Sequence, residues 1–216
     1  MTPRKFDRLV QFDERSRKFP IRAVMPVKKP RGYTWSCQVK LDQGSEGACV
    51  GFAWAHELSA RPLIVGQHEE NARYYYREAQ KVDEWEGETY EGTSVLAGAK
   101  TVQRLGYISE YRWAFGLSDL ILAVGYAGPA VLGLNWYEGM FGTNSDGFIE
   151  PTGQVLGGHA IMCNGVNVKD EYFKLQNSWG GNWGIYGACK LSFEHMDRLL
   201  HEQGEACIPI GRKSAR

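Results

Sequence analysis

The pattern of apolar and polar residues divides the chain into a helical first half and a strand-rich second half. Apolar positions recur at helical spacing in five segments, and we predict helices over Cys49–Arg61, Asn71–Trp85, Ser94–Leu105, Leu117–Tyr126 and Glu194–Gln203. After Gly128 and Pro129 the pattern changes to short apolar runs, which predict strands over 130–135, 159–166, 171–177, 187–193 and 206–210. The chain therefore begins with helices and continues mainly with strands.

Helices followed by strands favour an α+β protein with two lobes and a cleft between them. We predict a helical lobe over about residues 40–126 and a β-rich lobe over about 127–210, within a domain spanning 33–216. A chain of 216 residues is long enough for two lobes that share an interface. We expect residues 1–32 to form a basic, extended N-terminal arm, because they lack periodicity and hold four of the eight prolines.

The formal net charge of zero excludes a general attraction to nucleic acid or to a membrane surface, and neither partner is expected. This zero hides an asymmetry, since residues 1–31 carry ten basic and three acidic side chains and the remainder carries the balancing acidic excess. We expect the basic arm to be mainly a solvated tail. If it docks on the acidic body, we expect it to brace the two lobes rather than cover the cleft.

The cysteines and the start of the chain indicate a reducing compartment. The five cysteines are an odd number and no apolar signal segment follows Met1, so we expect free thiols in a cytoplasmic protein. The longest apolar stretch, Leu120–Leu134, is too short to span a bilayer. No cysteine or histidine spacing is typical of a metal site, and we expect neither a metal nor another cofactor.

One cysteine lies where a flexible loop becomes a helix. The stretch LDQGSEGACVGFAW, residues 41–54, surrounds Cys49 with glycines and continues into an apolar helical run. A helix N-terminus carries unpaired N–H groups and partial positive charge, which favour a thiolate. Cys49 is therefore the candidate nucleophile, and we expect it to be the most reactive of the five thiols.

A nucleophilic cysteine needs a base, and His159 is the best candidate among the histidines. His56 shares a helix face with Cys49 but lies about 10 Å along the axis, beyond hydrogen-bond reach. His159 follows two glycines and begins an apolar strand, which would hold the imidazole rigidly. Farther along, Asn177 could orient an imidazole by a hydrogen bond, and Trp179 could shield that bond from water.

Three motifs in this order, DQGSEGAC, GGHA and NSWGGNWG, resemble those of the papain-like cysteine peptidases. The resemblance covers about residues 33–210 and implies a helical lobe, an antiparallel β-barrel-like lobe and an active-site cleft between them. It implies a catalytic set of Cys49 as nucleophile, His159 as base, Asn177 as orienter and Gln43 as oxyanion-hole donor, with Trp179 in a supporting position. It also implies a cleft for a polypeptide substrate along Gly92, Thr93, Gly158 and Ala160.

Departures from the family pattern leave two functional alternatives. Ala48 and Val50 flank the cysteine where the family commonly has Ser and Trp, and Glu46 stands where secreted members have a disulfide cysteine. His159 and Asn177 follow the nucleophile by only 110 and 128 positions, and the arm is too short for an inhibitory propeptide. The chain looks most like the short, propeptide-free prokaryotic type. The expected function is hydrolysis of peptide or isopeptide bonds through a thioester, and the alternative is a catalytically silent binding or structural module.

Overall fold

The computed structural model describes residues 4–11, 13–85 and 90–214 of the chain. These residues form five α-helices: α1 Cys49–Leu58, α2 Glu69–Gln80, α3 Val95–Arg104, α4 Leu117–Tyr126 and α5 Phe193–His201. They form seven strands: β1 Tyr33–Thr34, β2 Glu110–Trp113, β3 Ala130–Tyr137, β4 Val155–Asn167, β5 Tyr172–Gln176, β6 Ala188–Ser192 and β7 Glu205–Ile210. The fold is α+β, as predicted. No helix within the described ranges has the length and apolar character needed to cross a membrane.

Each predicted helix is present, and the differences lie at the ends. α1 ends at Leu58, earlier than predicted, because Ala60 leaves the helix and pairs with Cys37 in a β-bridge. α2 begins and ends earlier than predicted. α3 begins after Ser94, whose hydroxyl accepts the backbone N–H of Ala97 at 3.0 Å and caps the first turn.

The described strands belong to one antiparallel sheet in the order β2-β7-β3-β4-β5-β6, with β1 paired to β4 off this path. The sheet is open, with β2 and β6 at its two ends, and does not close into a barrel. The long β4 is central and pairs with β3, β5 and β1. The sequence analysis did not predict β1 and β2, because strands of two and four residues are too short to show a period.

Two clusters of buried apolar side chains form the interior. One packs α1 against α2 and α3, and every residue of α1 is buried. The other lies between the sheet and the helices α4 and α5. The first cluster also includes Val131, Ala160 and Cys207 of the sheet, so α1 packs directly on β4. The start of α1 is thereby fixed against the middle of the sheet.

The described residues of the N-terminal segment, 4–11 and 13–31, contact the rest of the protein at several points, so the expectation of a mainly solvated tail is wrong. Glu14–Lys18 and Ile21–Ala23 form short 3-10 helices, and Ile21 is buried in the sheet cluster. Pro20 forms a β-bridge with Trp113 of β2. Basic side chains of the segment bind acidic side chains of the body in four pairs: Arg4–Asp42, Lys5–Glu91, Arg8–Glu205 and Arg22–Asp119. The charge asymmetry of the sequence is thus expressed as contacts between segment and body.

Candidate active site

The candidate nucleophile is the first residue of α1, at the helix N-terminus that the sequence predicted. The preceding Ala48 makes no side-chain hydrogen bond to the first turn, and the carboxylate of Asp7 lies close to Gly47 just before the helix. The backbone N–H of Ala160 in β4 donates to the Sγ atom of Cys49 at 3.4 Å. Ala160 is itself fully buried, and its contribution here is a hydrogen bond to the sulfur.

His159 lies on β4 next to that contact, and Asn177 fixes its imidazole. Nε2 of His159 lies 2.8 Å from Oδ1 of Asn177, and both side chains are fully buried. The same amide oxygen accepts the backbone N–H of Ser178 at 2.8 Å, which sets the orientation of the amide. Because an amide oxygen only accepts, Nε2 carries the hydrogen. Nδ1 has no hydrogen-bond partner within the described part of the chain, so its lone pair is available to take a proton.

Two tryptophan rings pack against this imidazole. Trp179 is 3% exposed, and its ring centroid lies 5.3 Å from that of His159. Trp136 is closer, at 4.6 Å, although the sequence analysis did not single it out. The predicted strand ended at Asn135, whereas β3 continues to Tyr137 and makes Trp136 a diagonal cross-strand neighbour of His159. Extending the predicted strand and pairing it with β4 would have found this residue.

Gln43 is buried in the loop before α1, and both ends of its amide are hydrogen-bonded. Its Oε1 accepts the hydroxyl of Ser178 at 2.7 Å, and its Nε2 donates to the backbone oxygen of Glu46 at 2.9 Å. Ser178 follows Asn177 directly, so one short segment orients both amides. The bond to Glu46 uses one of the two amide hydrogens of Gln43 and leaves the second for a ligand.

The residues expected to line the substrate cleft contact the N-terminal segment. The backbone N–H of Arg8 donates to Gly158 O at 2.8 Å, and that of Leu9 donates to Thr93 O at 2.9 Å. The N–H of Thr93 donates in turn to Asp7 O at 3.2 Å. This stretch thus lies as a short strand between the two sides of the cleft. The expectation that a docked arm would leave the cleft uncovered is wrong.

Glycines allow the segment to approach this closely. A Cβ atom at Gly158 would overlap the backbone oxygen of Arg8, and one at Gly92 would overlap the backbone oxygen of Asp7. Gly92 also has a φ of +95°, in the left-handed region that favours glycine. The two glycines therefore suit a cleft that holds an extended backbone in close contact.

Phe6 and Asp7 lie directly over the candidate catalytic groups. The backbone of Asp7 lies beside the sulfur of Cys49, where its polar interaction works to lower the pKa of the thiol. The ring of Phe6 packs edge-on against His159 at 5.9 Å between centroids and against Trp179 at 5.8 Å. With these contacts in place, Cys49 and His159 are both 0% exposed.

Burial shifts the pKa values of both groups toward their uncharged forms. Desolvation raises the pKa of Cys49 from 9.0 to about 11, against smaller opposing effects of the backbone groups of Ala160 and Asp7. Desolvation lowers the pKa of His159 from 6.5 to about 4, opposed by the hydrogen bond to Asn177. At neutral pH the site therefore holds a thiol and a neutral imidazole. Burial also raises the pKa of Cys37 to about 11, so the expectation that Cys49 is the most reactive of the five thiols stays a prediction.

Other histidines and cysteines have structural surroundings. Nε2 of His56 accepts the backbone N–H of Leu41 at 3.2 Å, so this histidine supports the loop before α1. Cys163 and Cys189 are buried core residues of β4 and β6, as predicted. Among the described residues, no three His, Cys, Asp or Glu side chains are grouped as metal ligands would be.

A cysteine at a helix N-terminus beside a buried histidine–asparagine pair, in an α+β fold, is the arrangement of the papain-like thiol hydrolases. The family description "Papain family cysteine protease" matches residues 34–198, which is more than half of the chain. The chain belongs to this family.

The relatives are distant in sequence and similar in fold. An uncharacterised peptidase C1-like protein of Acanthamoeba polyphaga mimivirus is 22% identical over 210 residues, a match that spans 73% of this chain and 65% of the relative. The solved structure of xylellain, a cysteine protease from Xylella fastidiosa, superposes with a TM-score of 0.71 at 19% identity and covers 99% of both chains. The bromelain protease of Ananas comosus, in complex with the E64 inhibitor, superposes with a TM-score of 0.62 at 14% identity, over 85% of this chain and 100% of its own. These likenesses confirm the papain-like fold.

Proposed function

We propose that this protein is a cysteine peptidase in which Cys49, His159 and Asn177 act as a catalytic triad. The observation that carries the proposal is the buried contact of His159 with Asn177, on a strand whose next residue donates to the Cys49 sulfur. This contact gives the imidazole one tautomer with Nδ1 free to accept a proton. Membership of the papain family of cysteine proteases supports the same assignment.

In the proposed reaction the proton of Cys49 moves to Nδ1 of His159, and the thiolate adds to the carbonyl carbon of a peptide bond. The tetrahedral oxyanion accepts hydrogen bonds from the backbone N–H of Cys49 and from the remaining amide hydrogen of Gln43. The imidazolium then protonates the departing amine, which leaves a thioester on the sulfur. Water gives a proton to His159 and attacks the thioester. The acid product departs and the proton returns to the sulfur.

The proposed substrate is an extended polypeptide lying between Thr93 and Gly158. The groups available there are backbone N–H and C=O groups, which residues 7–9 now use. Backbone groups recognise an extended chain of almost any sequence, and an isopeptide bond presents the same carbonyl chemistry. Trp136 and Trp179 would keep water away from the His159 contact with its amide partner.

The test combines labelling by an epoxysuccinyl thiol-protease inhibitor with hydrolysis of an unfolded protein under reducing conditions. We expect the adduct on Cys49, and we expect Cys49→Ser to abolish both labelling and hydrolysis. Cys37→Ser is the matched control, because Cys37 is a partly exposed thiol elsewhere in the chain, and it should leave both intact. Phe6→Ala is included because it removes the ring that covers the imidazole. If neither the wild type nor Phe6→Ala is labelled or active, the proposal is refuted in favour of a catalytically silent module.

A further inference from the structure

A cavity separate from the proposed catalytic groups lies on the sheet, where β1, β5 and β6 contribute to its wall. Its volume is about 670 Å³, and none of the residues that line it belongs to the proposed catalytic set or to the expected substrate cleft. We infer that this cavity binds a small phosphate monoester whose carrier has hydroxyl groups, the chemistry of a sugar phosphate. The inference concerns binding at a second site and does not depend on peptidase activity.

The first supporting feature is the charge of the cavity wall. Lys40, Lys174 and Lys190 line the cavity, whereas no acidic residue does so among the residues that the structure describes. Within those same residues, none of the three lysines forms an ion pair with a carboxylate. A chain with a formal net charge of zero thus places three positive side chains around one cavity, which favours an anionic ligand.

The second feature is the position of two of these lysines in the sheet. Lys174 of β5 and Lys190 of β6 are directly opposite each other in the antiparallel pairing, so their side chains share one face. Like charges in this arrangement repel each other and destabilise the sheet. An oxyanion can accept hydrogen bonds from both ammonium groups and remove the repulsion. A phosphate monoester suits the pair because it carries up to about two negative charges and several acceptor oxygens at neutral pH.

The third feature is that two of the ammonium groups are held in place. Nζ of Lys190 lies 5.3 Å from the ring centroid of Phe148 and 5.1 Å from that of Tyr172. Nζ of Lys40 donates a hydrogen bond to the backbone oxygen of Tyr186, another residue of the cavity wall, and keeps its other N–H groups for a ligand. Side chains that are already fixed lose less conformational entropy when a ligand binds, so these contacts favour binding.

A buried amide in the same wall indicates what else the ligand carries. Asn164 lines the cavity and is only 3% exposed, and its Nδ2 donates to the backbone oxygen of Trp35 at 3.0 Å. Its Oδ1 has no hydrogen-bond partner among the described residues. A hydroxyl group on the ligand would satisfy this acceptor, which a bare phosphate ion without a proton cannot do. The cavity volume lies within the range of small-molecule sites, roughly 300–1,000 Å³, and favours a compact ligand over a long polyanion.

The test titrates the full-length protein with glucose 6-phosphate at low salt and follows the backbone amide signals of β5 and β6 by NMR. Glucose 6-sulfate has the same carrier and less negative charge, and inorganic phosphate lacks the carrier. We expect glucose 6-phosphate to bind with a lower Kd than either of them. Lys174→Met and Lys190→Met should each raise this Kd about tenfold, the factor that matches the loss of one charged hydrogen bond. Lys169→Met is the matched control and should bind as the wild type, because Lys169 is exposed in the turn between β4 and β5 and does not line the cavity.

The melting temperature of the free protein gives a second measurement. Lys174→Met removes the repulsion between the opposed lysines, so the variant without ligand should melt about 1–3 °C above the wild type. Glucose 6-phosphate should raise the melting temperature of the wild type and raise that of Lys174→Met less.

Each contrary outcome refutes a named part of the inference. No binding of glucose 6-phosphate or inorganic phosphate at millimolar concentration would overturn it entirely. An equal loss of affinity in Lys169→Met, or signal changes only outside β5 and β6, would refute the location. An equal Kd for inorganic phosphate and glucose 6-phosphate would refute the hydroxylated carrier, and tighter binding of polyglutamate would refute the small-molecule class. A free Lys174→Met protein that melts below the wild type would refute the argument from repulsion.

Discussion

Lifting the N-terminal segment should restore a more ordinary titration of His159. In the docked state its pKa is about 4 instead of 6.5, because burial removes water from the imidazolium. The difference of about 2.5 pH units corresponds to about 3 kcal/mol at this fully buried group. Phe6→Ala removes the ring that packs on the imidazole. Water would then reach it, and we expect the pKa of His159 to rise toward or above 6.5.

NMR of ring-labelled histidines measures this pKa directly, and the resonance is assigned by its loss in His159→Gln. His56 is the internal control, because burial also lowers its pKa, to about 3, while its partner Leu41 lies outside the N-terminal segment. Phe6→Ala should move the titration of His159 and leave that of His56 in place. A wild-type His159 that titrates at or above 6.5 would refute the reasoning, since its imidazole would then be hydrated or paired with a thiolate beneath the segment.

The same shift makes docking depend on pH. A base with a depressed pKa in the docked state binds fewer protons there, so acid favours the undocked state. This effect begins as the pH falls through the ordinary value of 6.5 and is complete below about 4. If the undocked imidazole has the ordinary pKa of 6.5, protonation of His159 alone should lower the equilibrium constant for docking of the segment about twentyfold between pH 7 and pH 5. The rate at which Cys49 is alkylated in the undocked state measures this change. At each pH this rate is divided by that of a small-molecule thiol, which corrects for the effect of pH on the reagent and on thiol ionisation.

Three further predictions concern other residues. Asp7→Asn should tighten docking at neutral pH and slow alkylation, because burial raises the pKa of this carboxyl and its Oδ2 lacks a partner among the described residues. The carboxyl of Asp7 faces Lys5, Glu91, Tyr76 and Cys49. Faster alkylation of Cys49 in Asp7→Asn than in the wild type would contradict this prediction. Gln43→Ala should lower kcat about 100-fold or more with little change in KM. Ser178→Ala removes only the hydrogen bond to Oε1 of Gln43 and should lower kcat less. A raised KM with unchanged kcat in Gln43→Ala would exclude the oxyanion role. Arg212→Ala should lower the free energy of unfolding by about 3–5 kcal/mol, because it leaves the buried carboxylate of Glu57 unpaired. Urea denaturation measures this change, and a decrease of less than about 1 kcal/mol would contradict the prediction.

Much of the fold could be predicted because its helices carry their own local signals. Apolar spacing located all five helices, and α4 matches its predicted range at both ends. The predicted start of α3 is one residue early, because Ser94 caps the helix with its hydroxyl and lies just before the first turn. The candidate site could also be predicted, because its groups lie in short motifs. The structure places His159 against Asn177 and brings Cys49 to the residue after His159.

The path of the N-terminal segment could not be predicted, because its contacts reach separate parts of the fold. Arg8 binds groups on β3, on β7 and in the turn before β7, while Leu9 pairs with the residue that precedes the cap of α3. Such contacts leave no period in the sequence, and charge composition indicated only that the segment and the body could attract each other. Trp136 was missed for a related reason, since its position beside the imidazole depends on the register of β3 with β4.

The covalent tether between Leu9 and β1 has a consequence for competition at the cleft. Because the docked residues belong to the same chain, their local concentration at the cleft is fixed and independent of the protein concentration. Packing of Ile21 in the sheet cluster keeps the tether close to the protein surface. Dilution would release a peptide bound from solution, but it cannot release a segment of the same chain. The fraction of molecules with the segment undocked should therefore be the same at any protein concentration. It should change only when another ligand competes with the segment for the cleft.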